Sequence, residues 1–267
     1  MLSTAQDRQA KIVELLREEQ FLDINTLTGL LHISVATARR DLGELEAAGL
    51  LRRTHGGAVS INQVAQDSTH AVRAVSRQAE KAAIATVAAG MIVDGDAVIL
   101  DAGTTALEVA RLLAGRSGLT LISNGVDIIA ELIRGNTQNV YSVGGEYADS
   151  NRSFRGPLAE QFIRQFTVDK LILNATSIDL DRGLICTASP LNASVQRAMI
   201  AVANRVIVVA DSSKFKKSSL SVTTRIEDVG VVVTDVGARS ILDGAPEKLR
   251  RKFVVANEGS MSPPTDQ

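Results

Sequence analysis

Tryptophan is absent, and phenylalanine and tyrosine are so scarce that aromatics make up only 3% of the chain. Proteins that grip single strands stack bases on such rings, so duplex DNA is the better expectation for any nucleic-acid contact. Positive charge is not in excess either: 29 lysines and arginines face 30 aspartates and glutamates, a formal net charge of −1. No global field draws the chain to nucleic acid, and attraction has to come from a local cluster. Cysteine occurs once, as Cys186, which excludes an intrachain disulfide. No apolar run approaches the roughly eighteen residues of a membrane helix. Residues 1–20 carry charges throughout where a secretory leader would be apolar. The expectation is a cytoplasmic protein without a membrane partner.

Signatures of catalysis are missing as well. His32, His55 and His70 lack metal-ligand spacing, and no G-x-x-x-x-G-K-[ST] loop occurs. Serines near the glycine turns lack the nucleophile-elbow pattern. Neither a metal nor a cofactor is expected. What the chain does have is 267 residues at 45% hydrophobic content, enough for one small and one medium core.

The most informative stretch is Leu27 to Gly57. On a helix started at Ser34, Val35, Ala38, Leu42 and Leu45 fall on one stripe that has to be buried, while Ala36, Thr37 and Arg40 point away from it. Ser34 is placed to cap this helix and Gly49 to end it. Asn25 is placed to cap a shorter helix carrying Leu27, Leu30 and Leu31, with His32 to Ser34 as the corner between the two. After a loose start through Asp7, residues Arg8 to Glu19 supply a third wall, and Phe21 and Leu22 close the core. Small, hydroxylic and basic residues shown by the second of two short helices are the arrangement of a helix-turn-helix, whose second helix enters the major groove. Thr37 and Arg40 then face bases, and Arg39 lies near the edge of the stripe, over a phosphate or over the core. Beyond Gly49, Leu50 to Arg53 alternate toward a strand, His55-Gly56-Gly57 permits a reversal, and Ala58 to Ile61 return beside it. That hairpin is a wing with Arg52, Arg53 and His55 placed to touch phosphates. A small helical bundle with a solvated charged face is the competing reading. The basic outer face and the glycine hairpin together favour a DNA reader.

Residues 62–76 are polar, lack a sustained period and read as a linker. Ala79 to Met91 is alanine-rich and helical. Ala97 to Leu100 is a short apolar run that ends at Asp101-Ala102-Gly103-Thr104-Thr105 and opens a helix carrying Leu107, Val109, Leu112 and Leu113. A strand that turns through glycine and hydroxyl residues into a helix offers free N–H groups and a positive dipole end, a place for a phosphate or carboxylate. The pattern recurs at Leu119–Ile122 before Ser123-Asn124-Gly125 and at Val140–Val143 before Gly144-Gly145. It recurs again at Leu171–Leu173 before Asn174-Ala175-Thr176 and at Val206–Ala210 before Asp211-Ser212-Ser213-Lys214. Strands alternating with helices predict a parallel, doubly covered sheet. Polar clusters at the carboxyl ends of several strands predict one shared crevice, although each cluster alone could be an ordinary turn. Ile226 to Thr234 reads as a further buried strand, Ala238 to Leu242 as a short helix and Phe253 to Val255 as an edge strand. The expected organisation is a winged helix-turn-helix domain over 1–61, a linker over 62–76, an α/β domain over 77–257 and a disordered tail over 258–267.

As motifs, S-V-A-T-A-R-R-D-L at 34–42, E-L-E-A-A-G-L-L at 44–51 and R-T-H-G-G-A at 53–58 resemble the DNA-binding domain of the DeoR family of bacterial transcriptional regulators. D-A-G-T-T, S-N-G, V-G-G, R-G-P-L-A, R-G-L, Q-R-A-M-I and D-S-S-K-F at 211–215 extend the resemblance to about residue 257. It implies base-reading positions at Ala36, Thr37, Arg39 and Arg40. It further implies a mainly parallel effector domain similar in fold to ribose-5-phosphate isomerase, sensing phosphorylated sugars or related metabolites. Gly103, Thr104 and Thr105 would cradle the phosphate, with Asp101 at the same strand end. Asn124, Gly144 and Gly145 would line the pocket, and Lys214 would supply a positive charge. The family carries a basic residue followed eight positions on by lysine just before this domain, which marks Arg73 and Lys81. The same two residues read equally well as solvent-facing charges on a helix start.

Two departures bear on the effector. Asn174-Ala175-Thr176 stands where the family commonly has glycine-alanine-aspartate, and Asn192 where it commonly has glutamate. Loss of two carboxylates makes a pocket less repulsive to anions and less able to accept hydrogen bonds from sugar hydroxyls. The implied effector is a phosphorylated sugar or sugar acid, one bearing an acid group or a second phosphate. The alternative is a sugar-phosphate isomerase-like enzyme, which needs a carboxylate base and groups that stabilise an enediolate. The acids for that task are the ones missing, and Asp101, Asp211 and Lys214 fit binding equally well. The resulting expectation is a repressor of a carbohydrate-metabolism operon and not an enzyme. It is a homodimer or homotetramer on double-stranded operator DNA, since one short helix buries too little to single out a genomic site.

Overall fold

A computed structural model describes residues 5–19, 21–48, 50–54, 56–59, 70–216 and 219–257. The chain divides into two compact units, Met1–Ala65 and Gln66–Gln267. In the first, helix α1 spans Ala5–Glu19, strand β1 Phe21–Asp23, α2 Ile24–Leu31 and α3 Val35–Ala47, followed by strands β2 Arg52–Thr54 and β3 Gly57–Val59. β3 lies between β1 and β2 and pairs antiparallel with both. Ile12 and Leu16 of α1, Leu27 of α2, and Leu42 and Leu45 of α3 pack with Leu22, Leu51 and Ala58 into one core. Burial of each large aliphatic side chain there contributes about 1.5–3 kcal/mol.

Ser34 caps α3 as its sequence indicates, its hydroxyl accepting from the Thr37 N–H. Other details differ from the sequence reading. α1 begins at Ala5, within the stretch expected to be a loose start. The cap of α2 is Asp23 and not Asn25: its carboxylate accepts from the Asn25 and Thr26 N–H groups at 2.9 and 3.0 Å. The cause is β1, which delivers the chain into the helix earlier than local spacing suggests. Val35 is 39% exposed, and the buried stripe of α3 contains Asp41 at 0% instead. The Arg8 guanidinium reaches Asp41 from α1 with bonds of 2.5 and 3.0 Å, which is what lets a carboxylate sit in that core. Phe21 and Leu22 alternate across β1, so Leu22 is buried and Phe21 exposed. Gly49, His55 and the expected tail at 258–267 lie outside the described residues.

The second unit opens with α4 His70–Val75 and α5 Gln78–Gly90, then β4 Ala97–Leu100, α6 Thr104–Leu113, β5 Thr120–Ser123, α7 Val126–Arg134 and β6 Asn139–Ser142. Strands β7 Glu146–Ala148 and β8 Ser153–Arg155 lead to α8 Pro157–Ile163 and β9 Val168–Asn174. There follow β10 Ser177–Asp179, β11 Leu184–Thr187, α9 Pro190–Val202, β12 Ala203–Val209, β13 Ser221–Arg225 and β14 Val231–Asp235. Helices α10 Arg239–Asp243 and α11 Glu247–Arg250 precede a last strand, β15 Phe253–Ala256. Seven strands form one sheet in the order β15-β14-β12-β9-β4-β5-β6, every neighbouring pair parallel.

Alternation along these strands builds two cores. Val98, Leu100, Ile172 and Ile207 pack on one face against Ile84 and Ala88 of α5 and Val109 and Leu113 of α6. Ile99, Leu171, Leu173 and Val208 pack on the other against Ile163 of α8 and Val195 and Met199 of α9. This is the doubly covered α/β sheet the strand-helix rhythm predicts. The antiparallel sheet β10-β11-β13 and the β7-β8 ribbon have no counterpart in the sequence reading. α4 falls inside the stretch read as linker, being too short to show a helical period. Ile226–Asp228 is a 3-10 turn, and the strand expected from Ile226 starts at Val231. Among the described residues no helix is long and apolar enough to cross a membrane.

Gly57 is where β3 crosses β1 most closely: a Cβ there would fall 2.0 Å from the Leu22 carbonyl oxygen. Gly57→Ala should destabilise the first unit by about 2 kcal/mol or more. The check is amide exchange, which should speed up in β1 and β3 while the seven-stranded sheet keeps its protection.

Candidate functional site

α3 turns one face to its core and the other to solvent. Ser34, Ala36, Arg39 and Arg40 are exposed and Thr37 is half-buried. The Thr37 and Ser34 hydroxyls lie 2.9 Å apart, so both belong to the cap as well as to the surface. The inner side is held by Arg8 on Asp41, and at the surface Gln9 of α1 donates to Glu44 at 2.5 Å. Glu46 accepts from the Arg53 N–H at 2.7 Å, fastening β2 to the same helix. Ala36, Arg39 and Arg40 therefore form an outer face with one small residue beside two long cations, suited to a groove of base edges walled by phosphates. Arg53 is exposed on β2, while the Arg52 side chain, like His55, is outside the description.

In the second unit β4 and β5 are adjacent and parallel, and each runs through glycine into a helix. No side chain caps α6 at Gly103 or α7 at Gly125. The two first turns direct their positive ends at one small cleft, lined among others by Gly103, Gly125, His70, Asp127 and Arg152. Packing is close at both glycines and closer at Gly103. A Cβ on Gly103 would fall 2.5 Å from Cγ of Asn174, and one on Gly125 3.2 Å from Ala102. Thr104 and Thr105 are buried in the first turn of α6. Gly144 and Gly145 follow β6, the next strand in the sheet, and Gly145 takes a φ of 141°.

Several polar residues expected to meet a ligand are bonded to the chain itself. Asn124 accepts from the Ala102 N–H at 2.9 Å and donates to the Phe154 carbonyl at 3.2 Å. Asp101 accepts from the Gln196 amide at 2.8 Å and from the Asn174 N–H at 3.2 Å. Gln196 in turn accepts from the Thr223 hydroxyl at 2.7 Å, and the Asn174 amide donates to the Asp101 carbonyl at 2.8 Å. Burial pushes the Asp101 carboxyl up to about 7, although its bonds to Gln196 and Asn174 pull the other way.

Lys81 is buried, and its ammonium donates to the carbonyls of Arg73 and Ser76. Burial lowers its pKa, with Asp211 opposing and Lys214 reinforcing the shift. Lys214 lies in the 3-10 turn Ser212–Lys216, which Asp235 holds through the Ser212 N–H at 2.6 Å and Asp211 through the Ser213 N–H at 3.0 Å. Arg77 stands 3.8 Å from Asp211. Arg77 thus stands beside the Asp211 carboxylate just past β12, and Lys81 feels both that carboxylate and the Lys214 charge.

Of the nine residues expected at the effector site, Gly103 lines the cleft, Thr104 and Thr105 follow it buried in the first turn of α6, and Asp101 and Asn124 are braces under it. Lys81 and Lys214 belong to the basic cluster, and Gly144 and Gly145 lie one strand farther along. His70, Arg77, Asp127, Arg152 and Gln196 were not found by sequence reasoning. Asp127 stands two residues past the Ser123-Asn124-Gly125 turn and shares its signal, whereas His70, Arg77 and Arg152 follow no such turn and Gln196 lies in a motif, Q-R-A-M-I, that does not reveal its role.

The DeoR-like helix-turn-helix domain matches residues 8–64, and the DeoR C-terminal sensor domain matches residues 76–236. The chain belongs to the DeoR family, DNA-binding regulators with a sensor domain. It is 73% identical over 257 residues to the transcriptional repressor AccR of Agrobacterium fabrum strain C58, covering 96% of this chain and 100% of that one. It is 33% identical to a putative aga operon transcriptional repressor of Escherichia coli O157:H7, over 86% of each chain. It is a transcriptional repressor and not an enzyme. Among solved structures, ribose 5-phosphate isomerase A from Methanocaldococcus jannaschii superposes at a TM-score of 0.39 with 16% identity, over 51% of this chain and 54% of its own. A superposition that loose says nothing of chemistry.

The raised Asp101 pKa sets a sign. Between about pH 4 and 7 the folded chain keeps a proton that the unfolded chain has released, so stability falls as pH rises through that window. Asp101→Asn should flatten the decline, measured as urea midpoints at several pH values across it. A variant with the wild-type slope would show that the carboxyl is ionised throughout.

Proposed function

We propose that the chain represses a carbohydrate-metabolism operon in the cytoplasm by gripping operator DNA with residues 1–61, and that an effector bound within residues 77–257 loosens the grip. α3 lies in the major groove with Ala36, Thr37, Arg39 and Arg40 toward base edges, while Ser34, Arg52, Arg53 and His55 meet phosphates. The observation that carries the reading is the brace behind α3: with Asp41 and Glu44 engaged from α1, the two arginines are left on the outer face. The working form is a symmetric homodimer or homotetramer, because one reader helix provides too little interface to select a site.

The effector is a phosphorylated sugar or sugar acid at the carboxyl rim of the parallel sheet. Its anionic group lies on the first turn of α6 at Gly103, Thr104 and Thr105, over the braces Asp101 and Asn124. Lys81 and Lys214 supply the positive field, and Gly144 and Gly145 bound the far side. Two uncapped helix starts on neighbouring strands support this placement. A coupling on the order of 1–3 kcal/mol between the sites is enough to lower operator affinity.

Two substitutions separate the halves of this reading. Arg40→Ala should weaken binding to DNA from the chain's own promoter by about 1–3 kcal/mol and shrink its preference over unrelated DNA. Unchanged discrimination in a fluorescence-anisotropy titration would place the reading face elsewhere. Lys214→Ala should keep operator affinity while blunting release by phosphorylated sugars and sugar acids. A normal release curve for that variant would remove Lys214 from the site.

A further inference from the structure

α4 has six residues, fewer than an isolated helix needs to persist, so it is held by what it touches. Lys81 of α5 donates to the carbonyls of Arg73 and Ser76 at its carboxyl end. Arg73 donates to the Ser150 carbonyl at 2.9 Å. At the amino end, His70 Nε2 lies 3.5 Å from Oδ2 of Asp127 on α7, and its ring lines the cleft between Gly103 and Gly125. Arg152 clamps the same Asp127 with bonds of 2.7 and 2.8 Å, from a left-handed φ of 53° that side chains rarely adopt. Asp127 is thus engaged by two groups that both face the cleft.

Accepting the crevice assignment made above, we infer that His70 is itself an effector contact, so that an anion in the cleft adds a tie to α4. An oxyanion over the first turns of α6 and α7 comes within reach of the imidazole, which then carries a proton opposite it. α4 begins a few residues past the boundary between the two units, on the chain that leads to the DNA-reading unit. Occupancy of the site is therefore reported directly on that connection, without a rearrangement of the sheet.

Charge around the ring makes the idea testable. Burial lowers the His70 pKa below its usual value; Arg73 on α4, Arg152 after β7 and Lys81 on α5 add to this, and Asp127 on α7 opposes it. A bound dianion should raise it, and by linkage the dianion should bind more tightly as pH falls. Sulfate is the suitable probe, since its charge is constant between about pH 5 and 8 while histidine titrates there. Asp101 also titrates in this range, so the comparison has to be between proteins and not between pH values alone.

The experiment titrates sulfate into the full-length protein and into His70→Gln, following amide exchange at Thr104–Ala106 and in α4, and the His70 ring resonance in the wild type. Expected in the wild type are protection at both amide sets, an upward His70 shift, and a ratio of affinities at the acid and alkaline ends that His70→Gln reduces about tenfold. Protection at Thr104–Ala106 with no change in α4 or the His70 resonance, or the same pH profile in both proteins, would overturn the inference and leave the crevice standing. Absence of protection at Thr104–Ala106 would instead remove the crevice assignment and this inference with it.

Discussion

A carboxyl group whose partners are amides sits at the junction of the layers in the second unit. Asp101 follows β4 directly, receives the backbone of β9 through Asn174, and receives α9 through Gln196, which is itself tied to β13 by Thr223. The bonds run between groups 73, 95 and 27 residues apart, so they fix tertiary relations and not local turns. Everything proposed for the rim depends on that junction. The first turn of α6 starts three residues beyond Asp101 and inherits its position from the buried bonds. The fully parallel sheet adds the other half of the constraint, because strands that all point one way bring their carboxyl ends, and the helix starts after them, to a single edge.

The first unit solves a different problem with similar means. A net charge of −1 gives the whole molecule no pull on DNA, so recognition has to be concentrated on a few side chains. Asp41 takes the Arg8 guanidinium of α1 on the inner side of α3, Glu44 takes Gln9 of α1 at the surface, and Glu46 takes the backbone of β2. Each acidic residue on the reader helix is therefore engaged by a group of α1 or of the wing, and its arginines 39 and 40 face solvent. Arg39 and Arg40 offer a phosphate backbone a cationic contact although the helix carries three carboxylates.

Where a signal is local, the sequence is enough to find it. Ser34 at the start of α3, the core positions Ala38, Leu42 and Leu45, and the short apolar strands ending in glycine or hydroxyl residues are all written within a few residues of where they act. Asp41 shows the limit: a charged residue in an apolar stripe looks misplaced until Arg8, 33 positions earlier, is seen across from it. Asn124 and Lys81 fail for the same reason, since their partners are backbone groups that only the fold brings near. Strands of three to five residues such as β10 and β13 are invisible because their pairing partners, not their composition, make them strands. α4 lies in a stretch whose sequence resembles a linker, because its ties come from α5 and from Ser150.

The contact between Gly103 and Asn174 has an evolutionary side. The amide of Asn174 fills the volume a methyl at position 103 would need. The two sites share one allotment of space: a lineage can enlarge the residue at the start of α6 only after trimming the one at the end of β9, and the reverse order is open to drift. Paired replacement at these two positions across descendants would be the historical trace of that shared volume, and a lone change at 103 should be rare among chains that still fold.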